Sequence, residues 1–404
     1  MMARPQIPVA LFAAAALPLA LALPAAAQQA AQQARTVQTD GGPVRVETLA
    51  DGLVRPWGMA FLPDGRLLVT ERPGRLRVVT RQGEVADPVT GTPEVFSEGQ
   101  GGLLDVALDP DFGENRSIYL SFAEPGDGGT ASTAVARGRL NADATALEQV
   151  EVIFRQMPRI EGKMHFGSRL AFARDGRLFI TTGERFQFQP AQDLSSHLGK
   201  VIRIERDGSV PQDNPFTGRQ DAKPEIWSYG HRNIEAAAVH PQSGALWVVE
   251  MGPRGGDELN RPEAGRNYGW PLVSWGSHYD GEPIPDPPTR PDLAGSAHRW
   301  TPVISPSGLV FYTGEAFSAW RGNMLIGALT APGIVRLELD GNEVRGEHRI
   351  ELGQQIRDVE QGPEGAVYAL THAEEGRILR LTPGEAATGG NAPARPAAGG
   401  GSGR

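Results

Sequence analysis

The chain has 404 residues, 40% hydrophobic and 22% charged, which excludes a disordered polymer and allows one large fold or two ordinary domains. Its 51 glycines and 33 prolines interrupt helices and favour tight turns, so a helix-rich fold is excluded and many short strands are predicted. The absence of cysteine excludes disulfides, cysteine-ligated zinc and thiol nucleophiles, and a net charge of −9 opposes a phosphate-backbone partner.

The first segment reads as a leader. Arg4 is its one charge before Gln28, Val9 to Leu23 form an apolar run too short to span a bilayer comfortably, and Ala25-Ala26-Ala27 supply a small-residue cleavage site. This predicts a signal peptide over residues 1–27 rather than a retained anchor, and export into a periplasm, where a cysteine-free chain is at home. After cleavage 38 basic and 48 acidic residues remain, a net charge of −10. Residues 28–42, rich in Gln and Ala, are expected to form a flexible lead. Residues 384–404, nearly all Gly, Ala, Pro and Ser, are expected to be disordered. The body between them, 43–383, has no linker-like stretch and reads as one domain.

One pattern recurs six times along that body. A short apolar run, a turn with Gly, Asp or Pro, and a second apolar run begin near Pro56, Gly102, Ser168, Asn233, Ser307 and Ile356. The turn residues suit hairpins and the second runs favour strand over helix. Six such units at roughly 45–75-residue spacing predict an all-β, six-bladed propeller; a double β-sandwich is the alternative. Propellers bind ligands at one end of the central channel, so polar residues flanking the first strand of each unit are the ones to inspect.

Gln100 stands at that point of the second unit, in EGQGGLLDVALDPDF. The glycines around it lack a following Lys-Ser/Thr and lead into a strand pattern, so they read as a turn, not a phosphate cradle. His165, in KMHFGSRL, precedes the third unit and is a candidate general base. No two of the eight histidines lie three to five residues apart, so a local histidine zinc motif is absent. Arg232 and Asn233, in GHRN, precede the fourth unit and can donate several hydrogen bonds to a planar anion. Residues 251–258, MGPRGGDE, offer carbonyls in a tight loop and two carboxylates, hard oxygen ligands that suit calcium. Arg357 opens the sixth unit. No G-x-S-x-G elbow and no helix-opening G-x-G-x-x-G is present.

Taken together, GQGGLLDVALDPDF, HFGSRL, GHRN, EMGPRGGDELN and the NYGWP of 267–271 resemble the soluble aldose sugar dehydrogenases that use pyrroloquinoline quinone (PQQ), over residues 45–383. The resemblance implies a periplasmic quinoprotein that oxidises an aldose at C1 to a lactone, with an electron acceptor it does not identify. It implies His165 as the base and Arg232 as the group polarising the quinone carbonyl. Gln100, Asn233 and Arg357 would hold PQQ, and the carbonyls of Gly252 and Pro253 would hold calcium. In some members the counterparts of Glu258 and Tyr268 hold another calcium. Two family cations are missing: Thr330 stands where a lysine is usual and Gln355 where a first arginine is usual. Arg185, at the end of the TTGE strand, is the expected substitute. A calcium-dependent lactonase and a non-catalytic sugar- or protein-binding propeller are the alternatives on the same fold.

Overall fold

The computed structural model describes residues 34–385, so the expected signal peptide and nearly all of the expected tail lie outside the described residues. Strands β1 (Arg35–Thr39) and β2 (Gly42–Val54) come first. Blade 1 then comprises β3 (Pro56–Phe61), β4 (Leu67–Glu71) and β5 (Arg75–Val79). Blade 2 comprises β6 (Leu103–Leu108), β7 (Ser117–Pro125), β8 (Ala131–Leu140) and β9 (Leu147–Arg155). Blade 3 is built from β10 (Gly167–Phe172), β11 (Leu178–Thr182), β12 (Lys200–Ile204) and β13 (Ile226–Tyr229). Blade 4 is built from β14 (Ile234–Val239), β15 (Leu246–Glu250), β16 (Asp257–Asn260) and β17 (His298–Trp300). Blade 5 holds β18 (Pro306–Phe311), β19 (Met324–Ala328), β20 (Gly333–Asp340) and β21 (Glu343–Glu351). Blade 6 joins β22 (Ile356–Gln361), β23 (Val367–Thr371) and β24 (Glu375–Pro383) to β2 and β1.

This is the six-bladed β-propeller that the six repeats predict. The inner strands β3, β6, β10, β14, β18 and β22 touch in a closed ring, and the chain ends seal it where β2 pairs with β24. The second strands read LLVTE, LFITT, LWVVE, MLIGA and VYALT in five blades, buried throughout because a neighbouring blade covers each face. Between blades 4 and 5, for example, Trp247 and Val249 pack with Leu309, Phe311, Met324 and Ile326. The outermost strand β21 alternates exposed and covered residues, as a strand with one wet face should.

The expected flexible lead needs correction over its described part. Arg35–Thr39 forms the outer strand of blade 6, in register from Arg35↔Val46 to Thr39↔Gly42. Beyond it, the Asp40 carboxylate pairs with Arg336 and lies 3.0 Å from His348 Nδ1, both in blade 5. Polar sequence suits an edge strand because only its backbone must pair.

All six inner strands share one irregularity. Each shifts register against its partner near its start, at Pro56/Met59, Leu103/Val106, Gly167/Leu170, Ile234/Ala236, Pro306/Leu309 and Ile356/Asp358. A bulge re-aims a side chain, and the residues within these bulges include Asp105, Arg169, Glu235 and Arg357. Arg169 uses its position to tie the ring. Its guanidinium lies 4.2 Å from the Trp57 ring and bonds Asp105 (3.1 Å), the Glu235 carbonyl (2.8 Å), the Ser307 carbonyl (2.8 Å) and Asp358 (3.0 Å). One buried arginine thereby reaches each of the five other blades.

Candidate active site

His165 sits on the turn entering β10 with φ +56°, a left-handed conformation, and is 5% exposed. Its Nδ1 lies 2.7 Å from Glu184 Oε1, and Glu184 Oε2 accepts the backbone N–H of Gln187 and Phe188. A carboxylate receiving Nδ1–H leaves Nε2 as the free lone pair. Burial pushes the His165 pKa down; the bond to Glu184 opposes this and Arg232 reinforces it. The imidazole is therefore neutral near pH 7 and able to accept a proton. Glu184, two residues past β11, was not singled out from sequence, although the TTGE ending resembles the EMG ending of β15.

Arg232 enters the next blade, and its carbonyl accepts the Glu184 N–H (2.9 Å). Its Nη1 donates to the carbonyls of Met251 (2.9 Å) and Gly252 (2.7 Å), and its Nη2 to the Tyr279 hydroxyl (3.0 Å). Its Nε is buried and has no partner among the described residues. Tyr279, 58% exposed, stacks on Phe186 at 6.1 Å, and Phe186 meets the His165 ring edge-on at 5.2 Å. An aromatic wall thus links base and arginine. The loop bearing Phe186 is fastened from below by Lys200, fully buried and donating to the carbonyls of Pro190, Ala191 and Leu198.

The loop after β15 gathers oxygen atoms. A Cβ on Gly252 would stand 2.3 Å from the carbonyl oxygens of Gly255 and Gly256, so only glycine fits. The Gly252 N–H donates to Asp257 (2.8 Å), whose other oxygen accepts from Ile304 and Ser305, just before β18. Gly252, Pro253, Glu258 and Tyr268 all border one cavity of about 20 Å³, together with Glu250 and Trp270. That is room for one water-sized species. Asn260 Nδ2 donates to both Glu250 (2.8 Å) and Glu258 (3.2 Å). Burial, then the neighbouring Glu250 charge, push the Glu258 carboxyl up to about 8. The Tyr268 hydroxyl is occupied by the Arg261 carbonyl and the Glu263 N–H, which leaves its backbone carbonyl as the ligand it could offer.

The residues expected to hold a cofactor divide. Gln100 accepts the His165 backbone N–H (2.6 Å) and so sets the base's turn. Asn233 is fully buried: Oδ1 accepts from Gly167 (3.0 Å) and Nδ2 donates to Glu235 (2.9 Å), bracing the same turn from beneath. Arg357 bonds Glu235 (2.5 Å) and His372 Nδ1 (3.2 Å). Arg185 requires correction. It is 1% exposed, donates to the carbonyls of Met164, Ala131 and Gly162, and stacks on Phe166 at 3.8 Å. Its guanidinium clamps the loop before His165 and is not spare for a ligand. Arg72 and His372, which follow β4 and β23, join Arg357 at the mouth and were not singled out from sequence. Among the described residues the one cluster with metal-ligand spacing is Asp40, Glu338 and His348 at the rim, and Arg336 neutralises it.

Comparison with known proteins gives consistent matches. The profile of the glucose/sorbosone dehydrogenase family matches residues 53–380. The aldose sugar dehydrogenase YliI of Escherichia coli (strain K12) is 43% identical over 347 residues, 84% of this chain and 93% of that protein. A glucose dehydrogenase crystal structure is 48% identical with a TM-score of 0.81, covering 83% of this chain and 98% of its own. The PQQ-bound aldose sugar dehydrogenase of Streptomyces coelicolor is 28% identical with a TM-score of 0.69, covering 84% and 98%.

Proposed function

This chain belongs to the glucose/sorbosone dehydrogenase family, and from that premise we propose that it is a PQQ-dependent aldose sugar dehydrogenase, oxidising the sugar at C1 to the lactone. The observation that carries the reading is the His165–Glu184 pair, a neutral imidazole with Nε2 free at the mouth of the channel. When bound, PQQ supplies a two-electron acceptor for the hydride that leaves C1. His165 Nε2 takes the proton of the C1 hydroxyl, and Glu184 holds the resulting imidazolium in place. Arg232 brings a fixed positive charge to where negative charge grows, and its partnerless Nε provides a further donor. Tyr279 and Phe186 narrow the approach and keep water from the base.

The residues fit both implied groups. The Gly252 carbonyl has two lone pairs, and the bond from Arg232 leaves one for a cation, with Pro253 beside it. The Glu250–Glu258 pair, a buried and a half-buried carboxylate around an ion-sized space, fits a second calcium with the Tyr268 carbonyl. We also place the protein in the periplasm, on the apolar leader and its Ala25–Ala27 cleavage site. No helix among the described residues is long and apolar enough to cross a membrane.

The test is reconstitution of purified apoprotein with PQQ and calcium, followed by dye reduction with aldoses. Sugar-dependent reduction that needs both additions is expected. Hydrolysis of lactones without quinone, or inertness toward every aldose after PQQ has bound, would overturn the reading.

A further inference from the structure

The residue one or two places beyond the second strand of a blade stands at the mouth. In blades 3 and 4 these residues are Glu184 and Gly252, already placed beside His165 and Arg232. In blade 5 it is Thr330, exposed and bonded to the Val303 carbonyl and Ser305. In blades 1 and 6 the same place is taken by Arg72 and His372. The backbone N–H of His372 donates to the Gln355 carbonyl (2.8 Å), so His372 adjoins the second position that lacks a cation.

The chemistry of this corner is that of an incomplete ion cluster. Arg72 is 9% exposed, and its guanidinium donates to the carbonyls of Gly99 and Gly101. Among the described residues no carboxylate pairs with it directly. Arg357 has one such partner, Glu235. A buried cation without a counter-ion is costly and is held where an anion completes it. His372 Nδ1 accepts from Arg357 Nε (3.3 Å) and Nη2 (3.2 Å), so its proton is on Nε2, which has no acceptor among the described residues. Burial, then Arg357 and then Arg72 hold His372 down at about 3. Burial, then Arg357, lower Arg72 to about 10. The other charges facing this corner are Glu235, Arg169 and Asp358 around Arg357, and the pair of half-buried Arg55 with exposed Glu374.

We propose that Arg72, Arg357 and His372 form a carboxylate-binding subsite on the wall shared by blades 1 and 6, which takes the place of the cations absent at Thr330 and Gln355. The proposal rests on the quinone reading above, since it assigns the subsite to carboxylate groups of PQQ. A carboxylate placed there pairs Arg72 and takes over the Arg357 guanidinium, which frees His372 Nδ1 to take up a proton from solvent. Binding is thereby linked to proton uptake and weakens as pH rises, whereas a site built from arginines alone keeps its affinity between about pH 5 and pH 8.

The experiment is a titration of calcium-loaded apoprotein with PQQ, followed by absorbance and by calorimetry in two buffers of different ionisation enthalpy, between about pH 5 and pH 8. The parent is expected to bind with net proton uptake and to lose affinity toward the alkaline end. His372→Gln should bind without that uptake. Arg72→Gln should weaken binding about tenfold or more, the value of a charge-assisted contact, and Arg72→Lys should recover part of it. A parent that binds without proton uptake, with affinity unchanged in His372→Gln and Arg72→Gln, overturns this proposal and leaves the quinone reading standing. A parent that binds no PQQ at all overturns both. Because His372→Gln touches no turn-holding bond of the Gly99–Gly101 segment, it decides the matter even where Arg72→Gln does not fold.

Discussion

Two opposing effects act on His165: burial disfavours its charged form, and the Glu184 carboxylate favours it. A base with a lowered pKa is neutral across the physiological range and loses activity only in acid. Replacing Glu184 with Gln removes the opposing carboxylate, so the acid limb of the kcat profile should move to still lower pH. The tautomer that frees Nε2 also loses its anchor, so kcat should fall by roughly 10–100-fold. An unchanged acid limb together with normal kcat would show that Glu184 has no positioning part. At this scale the sequence was a partial guide. His165 and Arg232 were legible because they flank strand starts, where a propeller exposes side chains to its channel. Arg185 was misleading for the opposite reason: adjacency to the mouth does not set direction, and its backbone at φ +60° sends the guanidinium to the carbonyls of Ala131, Gly162 and Met164.

The loop from Gly252 to Glu258 joins a tight turn to the close carboxylates of Glu250 and Glu258, and its pH behaviour follows from that. Glu258 is raised from 4.5 to about 8, above its value in an unfolded chain. Its contribution to stability is fully present below about pH 4.5 and is lost as pH rises through 8. A bound divalent cation cancels that loss by neutralising Glu250 and Glu258. The calcium-induced rise in Tm should therefore be larger at pH 8 than at pH 5, as read by thermal unfolding with and without chelator. A rise that is equal at both, or larger at pH 5, would count against a cation between these carboxylates. The inner strands were readable at this scale because each hairpin is local: apolar run, turn, apolar run. Strand β1 was not, because its polar residues resemble a loose lead and its outermost place in the blade depends on β2 meeting β24, more than 300 residues away in sequence.

Across the whole molecule, closure rests on contacts that cross blades. Asp105 accepts from Leu170, Asp358 from Met59, and Arg169 lies between both carboxylates. Arg169→Met would leave Asp105 and Asp358 buried without their cation, so denaturant unfolding should report a loss of about 3–5 kcal/mol. A loss below about 1 kcal/mol would mean that the ring closes without it. None of these partners could be read from the chain, since they lie 64 to 299 residues apart and meet only where four separate inner strands converge. The rigid ring so formed holds His165 and Arg232 at the entries of adjacent blades, with the Glu184 N–H donating to the Arg232 carbonyl (2.9 Å), and His165 as the base is the central assignment. The most direct measurement is single-turnover reduction of PQQ-loaded His165→Ala by excess aldose, beside a PQQ titration of the same variant. Quinone binding close to that of the parent and reduction slower by roughly 10²–10⁴-fold are expected. Reduction at the parent rate, with quinone bound, would contradict it.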